Sequence, residues 1–397
     1  MKIFKYVKDN TGIPFVFSFI LMLYTLGGLP ILPTYVMYIT YIFGSLYLVS
    51  TPSSIDKKWL LFIVYLPISL TLANPNSVFR SWERLLLFVV MFIYSSPLVI
   101  NQKAIKWREK SLLSVCIICV FLSVISFVCY FVGINLFVDR YNGGYIDDFV
   151  GSAGHFSGIC NHSMVLGPIS GISSIFLFNQ TFSCRKKYVY IFLVASLGSL
   201  LFSASRSALL ASIMGCLIIL FLRSESIKGF FKKVIPILIV AIATFPLWDN
   251  AATGLISKQK ARTDQGGMFD SRTKKILCRY DEFTSSPIYG VGFAAIDPDG
   301  LDGYNHTSGT IEPGSSWMAI LSMTGIVGFV LFANFIVKTI KGCWHVANTL
   351  YLGLLVFFLV DLLVEGYIFA GGSILAFMFW LVVGCCGNQN YKQTKLN

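Results

Sequence analysis

The chain has 397 residues, of which 55% are hydrophobic and only 13% charged, with a mean hydropathy of +0.72. Water-soluble domains carry about 25% charged residues, so this composition excludes an ordinary soluble globular fold. The net charge of +12 comes with no nucleic-acid-binding motif and reads as a membrane-topology signal.

Apolar stretches close to the length of a bilayer span, roughly 17–25 residues, follow one another along the chain. They lie near 13–29, 31–50, 59–73, 82–100, 111–134 and 164–182, then 188–204, 207–222, 234–250, 317–337, 346–367 and 369–386. The reading is an all-α polytopic membrane protein with about twelve transmembrane helices and a single membrane domain over 1–397. Basic residues give the orientation. With Lys2, Lys5 and Lys8 placed in the cytoplasm, alternate connections bring Lys57, Lys58, Lys103, Arg108, Lys186, Arg223, Lys233, Lys338 and Lys392 to the same side. The short opposite connections carry few Lys and Arg, as the positive-inside rule requires. Both termini are therefore expected in the cytoplasm, with the first span a retained anchor, since no small-residue cleavage site follows Leu29.

Two extracytoplasmic segments interrupt the spans. The first, 135–163, holds Asp139, Arg140, Asp147 and Asp148; the second, 251–316, is the largest polar region. A loop of that length is usually functional or disordered, and its aromatic and apolar content argues against disorder. Asp270 or Ser271 can cap a helix that ends before Pro287. Ile276, Leu277, Tyr280 and Phe283 form one apolar face of it, while Arg272, Lys275 and Arg279 occupy the rest. Such a helix lies on the membrane surface or on the bundle, with Arg272 in its first turn, where backbone N–H groups already favour anions.

A second basic position is Arg206, the sole charge between Lys187 and Arg223, with a serine on either side. An isolated charge at the mouth of a helix bundle is costly and marks a functional candidate. Ser205 or Ser207 can cap the helix that follows. Asp361 and Glu365 fall in the eleventh span, four residues apart, and either line a cavity or form ion pairs with Arg84 or Arg206. Arg80 and Arg84 sit near Trp82 at the outer end of the fourth span. Cys160 and Cys278, both outside the spans, could be joined in an oxidising compartment, although sequence alone gives no connectivity.

Four segments in order carry a resemblance to the O-antigen ligase and O-antigen polymerase superfamily over about 154–328. HFSGICNHSMVLG resembles its first loop motif and SASRSALLA its arginine turn. FDSRTKKILCRYDEFTSSPIYGVGF resembles its loop-helix arginine and the glycine-rich stretch after it, and GSSWMAILSMTGIVGF its last motif. The resemblance implies a membrane-embedded glycosyltransferase fold in the bacterial inner membrane and a metal-independent enzyme needing no cofactor. The implied donor is an undecaprenyl-diphosphate-linked oligosaccharide, transferred to a glycan acceptor at the periplasmic face. It assigns Arg206 and Arg272 to the diphosphate, with Arg84, Arg279, Asp361 and Glu365 left as glycan or cavity residues. Ligases carry a histidine eleven residues before the motif glycine; here that position is Gly314. The resemblance therefore leans towards a polymerase of O-antigen or capsule, with Glu312 as candidate base and His306 as its rival. A ligase acting on lipid A-core is the alternative, and a flippase or other transporter a further one. Membrane lipids surround the protein and a chain-length regulator is an expected partner.

Overall fold

Exposed apolar side chains dominate the outer surface of the helices, whereas serines and glycines gather inside. Phe43, Phe131, Ile191 and Val194 face outwards, and Ser123, Ser170, Ser173, Ser196 and Ser199 are fully buried. Water does not tolerate an apolar exterior of this extent, but a lipid bilayer does. This computed structural model describes residues 12–27, 33–136, 156–244, 270–296, 311, 313–346 and 348–394.

Thirteen α-helices are present among the described residues. They are α1 Ile13–Met22, α2 Thr34–Val49, α3 Lys57–Ala73, α4 Ser81–Ser95, α5 Gln102–Val132, α6 Ser163–Thr181 and α7 Lys187–Phe202. Then come α8 Arg206–Leu222, α9 Ile227–Ala243, α10 Asp270–Ser285, α11 Ser316–Val346, α12 Thr349–Asp361 and α13 Ile374–Thr394. Two of them, Gln102–Val132 and Ser316–His345, are long and apolar enough to cross a membrane. Other apolar helices, among them Thr34–Val49, Lys187–Phe202, Arg206–Leu222 and Thr349–Asp361, are 10–17 residues long. Every apolar stretch of the sequence overlaps one of these helices, but the number of crossings is not fixed by them. Two start well ahead of their apolar stretches: α5 at Gln102 rather than 111 and α9 at Ile227 rather than 234, each taking basic residues into its first turns.

Short polar caps start the helices. Asp56 accepts from the Lys58 amide, Asn101 from that of Ala104, and His162 Nδ1 from that of Met164. A two-stranded antiparallel ribbon, β1 Ser54–Ile55 with β2 Val99–Ile100, ties the connection before α3 to the one before α5. Inside, hydroxyls bridge helices: Ser123 to Ser170 at 3.0 Å, Ser173 with Ser196 at 2.7 Å, and Ser199 to the Ser123 carbonyl at 2.7 Å. Small residues let backbones meet. A Cβ on Gly215 of α8 would stand 2.8 Å from the Gly353 carbonyl oxygen of α12, and one on Gly353 3.1 Å from that of Gly215. Trp380 of α13 fills the other half of the bundle, with its ring 4.7 Å from Phe92 and 5.8 Å from Trp59. Its indole N–H donates to the Ile368 carbonyl.

One helix is broken. Gly325 interrupts α11 with φ 64° and ψ −173°, a conformation essentially confined to glycine. The segment that follows α10 fills the break. Val291 and Gly292 donate to the Ser322 and Met323 carbonyls at 2.9 and 3.1 Å. The Ile326 amide donates to the Pro287 carbonyl at 2.9 Å. From α3, Tyr65 donates to the Thr324 carbonyl at 2.8 Å and Ser69 to that of Tyr289 at 2.6 Å. Groups orphaned by the break thus find partners, as buried backbone must. Gly290 and Gly292 also have positive φ, and any Cβ at Gly325 or Gly290 would collide with main-chain atoms of the opposite segment.

Gly325→Ala should therefore cost roughly 3 kcal/mol or more, from strain and collision together. Gly229→Ala, in the exposed α9, should be neutral or slightly stabilising. Thermal unfolding of the detergent-solubilised protein checks this. Equal melting temperatures for the two variants would refute the role given to the break.

Candidate functional site

The site is built where α8 begins. Ala204 turns the chain with φ 50°, Ser205 takes the N-cap position and Arg206 opens the helix, half-buried. Contrary to expectation, Ser205 makes no side-chain cap bond. Its hydroxyl lies 3.5 Å from that of Ser207 and its carbonyl accepts from the Leu209 amide. Gly167 of α6 allows this turn to sit close, because a Cβ there would press on the Ser205 side chain.

From this turn, contacts run in series through three further chain segments. Ser207 Oγ donates to Glu365 Oε1 at 3.5 Å. The Glu365 carbonyl accepts from both the amide and the hydroxyl of Ser316, at 3.0 and 2.6 Å. The next residue, Gly366, lies against Pro313 and the Gly314 amide. Gly314, with φ 79°, in turn packs on the aliphatic stem of Lys275 in α10. Arg206, Ser207, Glu365, the 313–316 segment and the Lys275 face of α10 thus form one contiguous cluster.

The two carboxylates of the eleventh apolar stretch are arranged otherwise than helical spacing suggests. Helix α12 stops at Asp361, so Glu365 lies beyond the helix in an irregular turn. Asp361 is fully buried and accepts from the Tyr367 hydroxyl at 2.8 Å, while Glu365 is half-buried and turned to Ser207. Arg84 is half-buried in the first turn of α4, within electrostatic reach of Tyr38, and Arg80 forms an exposed ion pair with Glu83.

Helix α10 also departs from expectation. It does run from Asp270 to Ser285 and ends before Pro287. Its exposed side carries Leu277 and Tyr280, however, and its buried side carries Arg279 and Glu282, joined at 2.6 Å. Arg279 is therefore no part of a solvated basic face. Arg272 is described by its backbone alone, three residues before Lys275 and so on the same side of the helix. Glu312 and His306 lie outside the described residues.

Chemically, the cluster links a guanidinium at a helix N-terminus to the Glu365 carboxylate beside Ser207 and, through the 313–316 segment, to Lys275 of α10. That combination can hold an anion and accept a proton from a hydroxyl. Among the described residues there is no group of three or more His, Cys, Asp or Glu side chains suited to a metal ion. Sequence reasoning named Ser207 only as a possible helix cap and missed Ser316, Tyr367 and Glu282. The GSSW string was the available signal for Ser316.

Cys160 and Cys278 are both thiols and are not joined. Burial pushes the Cys160 thiol up to about 12, with Cys129 adding to the shift and the Ser126 hydroxyl opposing it. Because the thiolate is the reactive form, Cys160 should resist alkylation at about pH 8 until the protein is denatured. The half-buried Cys278 should react in the native state. Peptide mass spectrometry after maleimide treatment checks both, and a 160–278 disulfide peptide would refute them.

No curated protein matches the chain. Residues 191–333, which run from α7 into α11 and include Arg206, α10 and the Gly325 break, match the family model described as O-antigen ligase, and that match supports placing the chain in the O-antigen ligase and polymerase superfamily.

Proposed function

We propose that the protein is a bacterial surface-polysaccharide polymerase that moves a glycan from an undecaprenyl-diphosphate carrier to a growing chain. The observation that carries this reading is the series of contacts from the Arg206 turn, at Ser207, through Glu365 and the 313–316 segment to Lys275 of α10. All but Glu365 fall in or beside the stretch matched by the glycosyl-transferring family. In this reading the twelve apolar stretches all cross the inner membrane, both termini lie in the cytoplasm, and 135–163 and 251–316 are periplasmic. The cluster then opens to the periplasmic face.

Diphosphate is the leaving group, and negative charge grows on it as the glycosidic bond breaks. Cations fixed at that position stabilise the transition state more than the ground state. Arg206, on the first turn of α8, and Arg272, on the inward side of α10, are assigned that role. Glu312, whose neighbour Pro313 packs on Gly366, is the proposed base for the acceptor hydroxyl, with His306 its rival. Glu365 holds the serine beside Arg206. Polymerase is preferred to ligase because the ligase histidine position is Gly314. Its φ of 79° and the Lys275 stem against it leave no room for a side chain.

Arg206→Lys and Arg272→Lys keep the charge but lose the planar fork, so each should cost about 2–4 kcal/mol of transition-state stabilisation. The double variant should be little worse than either, since residues acting as a unit are not additive. Turnover of a lipid-linked donor in detergent measures this. Near-normal activity in Arg206→Lys together with loss in Lys274→Ala would refute the assignment.

Deleting the gene should leave surface glycan as single repeat units. Long polymer accumulating on the lipid carrier, with none on the final acceptor, would instead identify a ligase. A chain-length regulator acting beside the protein belongs to the same proposal.

A further inference from the structure

Helix α10 is turned against its own amphipathic pattern. An apolar stripe ordinarily faces the interior, yet Leu277 and Tyr280 are 54% and 52% exposed. The charged Arg279 and Glu282 are instead buried to within 2%. Burying two charges is costly, and only good geometry between them offsets the desolvation. That geometry is present: Arg279 Nη2 stands 2.6 Å from Glu282 Oε1, one helical turn apart. Only one rotation of the helix about its axis buries both groups together.

That same rotation brings Lys275 against Gly314. Positions 272, 275, 279 and 282 recur at three- and four-residue spacing, so they share one side of the helix. We propose that the Arg279–Glu282 pair is a positioning element that fixes the rotation of α10 and so turns the side carrying positions 272 and 275 towards the 313–316 segment. This inference rests on the diphosphate-binding role assigned to Arg272. The pair itself touches no substrate. Its work is rotational: with apolar residues at 279 and 282 the stretch 276–283 keeps Asp281 as its sole charged residue, and the apolar positions there no longer mark out one face. Buried ion pairs are weak sources of stability, and their best-attested use is to select one register over another.

The decisive variant is the double substitution Arg279→Met with Glu282→Leu, since exchanging a buried ion pair for apolar residues of similar volume is often neutral for folding. It should elute and melt like the unmodified protein. Its kcat/KM for a polyprenyl-diphosphate-linked oligosaccharide should fall roughly a hundredfold, the effect of a displacement of about 1 Å at a positioned group. KM for the acceptor glycan should stay within about twofold, because the acceptor is not held by Arg272. Cys278, next to Arg279 and half-buried, reports the rotation directly. Its labelling by a membrane-impermeant maleimide should rise severalfold, whereas Arg279→Lys, which keeps the pair, should label as the unmodified protein does. If the double variant fails to fold, Glu282→Gln carries the same two readouts. Unchanged Cys278 labelling, or a donor kcat/KM within about threefold of normal, would overturn the proposal. Failure of the unmodified protein to turn over any lipid-diphosphate donor would count against the proposed function, and the labelling would still decide the rotation.

Discussion

The interruption of α11 at Gly325 and the backbone that fills it set the geometry of this protein. A helix crossing an apolar medium satisfies its own hydrogen bonds; a broken one presents free carbonyls and amides that need partners. Here they come from residues 287–292, clasped between α11 and the Tyr65 and Ser69 side chains of α3. That insertion fixes where α10 ends. It also carries Phe293 to full burial beside Phe88 and Phe369, so the polar loop is fastened into the apolar core shortly after α10. The glycines at 290 and 325 follow from one requirement, the contact of two backbones without side chains between them, whereas Gly292 faces the Ala73 and Pro75 side chains.

Around this junction, polar and small residues do the packing that apolar residues do in a soluble protein. Lipid tails are as apolar as leucine, so helices gain little by hiding leucine from them. Serine hydroxyls crossing between α5, α6 and α7, and the facing glycines of α8 and α12, hold the bundle instead. At the far end of α8, Arg223 donates to Asn179 of α6 and Thr349 of α12 at 3.1 and 3.3 Å, and lies over the Phe182 ring. Helix α8 is thereby held at its middle and at the end opposite Arg206.

The helices were largely legible in the sequence because long apolar runs leave the backbone few other ways to satisfy itself. Arg206 was legible because a lone charge in such surroundings needs a reason. The break in α11 was hidden, since the apolar run through 317–337 continues across Gly325 and a glycine does not announce its dihedral angles. Periodicity located the two faces of α10 but not which of them turns inwards, because the ion pair that decides this depends on tertiary burial. Spacing put Asp361 and Glu365 on one helical face, but α12 unwinds between them and sends one to Tyr367 and the other to Ser207.

The facing of Gly215 and Gly353 has a consequence for how such a chain can diversify. Where two helices touch through main-chain atoms, their spacing is a property of the polypeptide itself and is indifferent to the side chains elsewhere along them. The separation between the start of α8 and the turn after α12 is therefore inherited as a fixed gauge. Side chains elsewhere along the two helices can be exchanged around that gauge without moving Arg206 relative to Glu365.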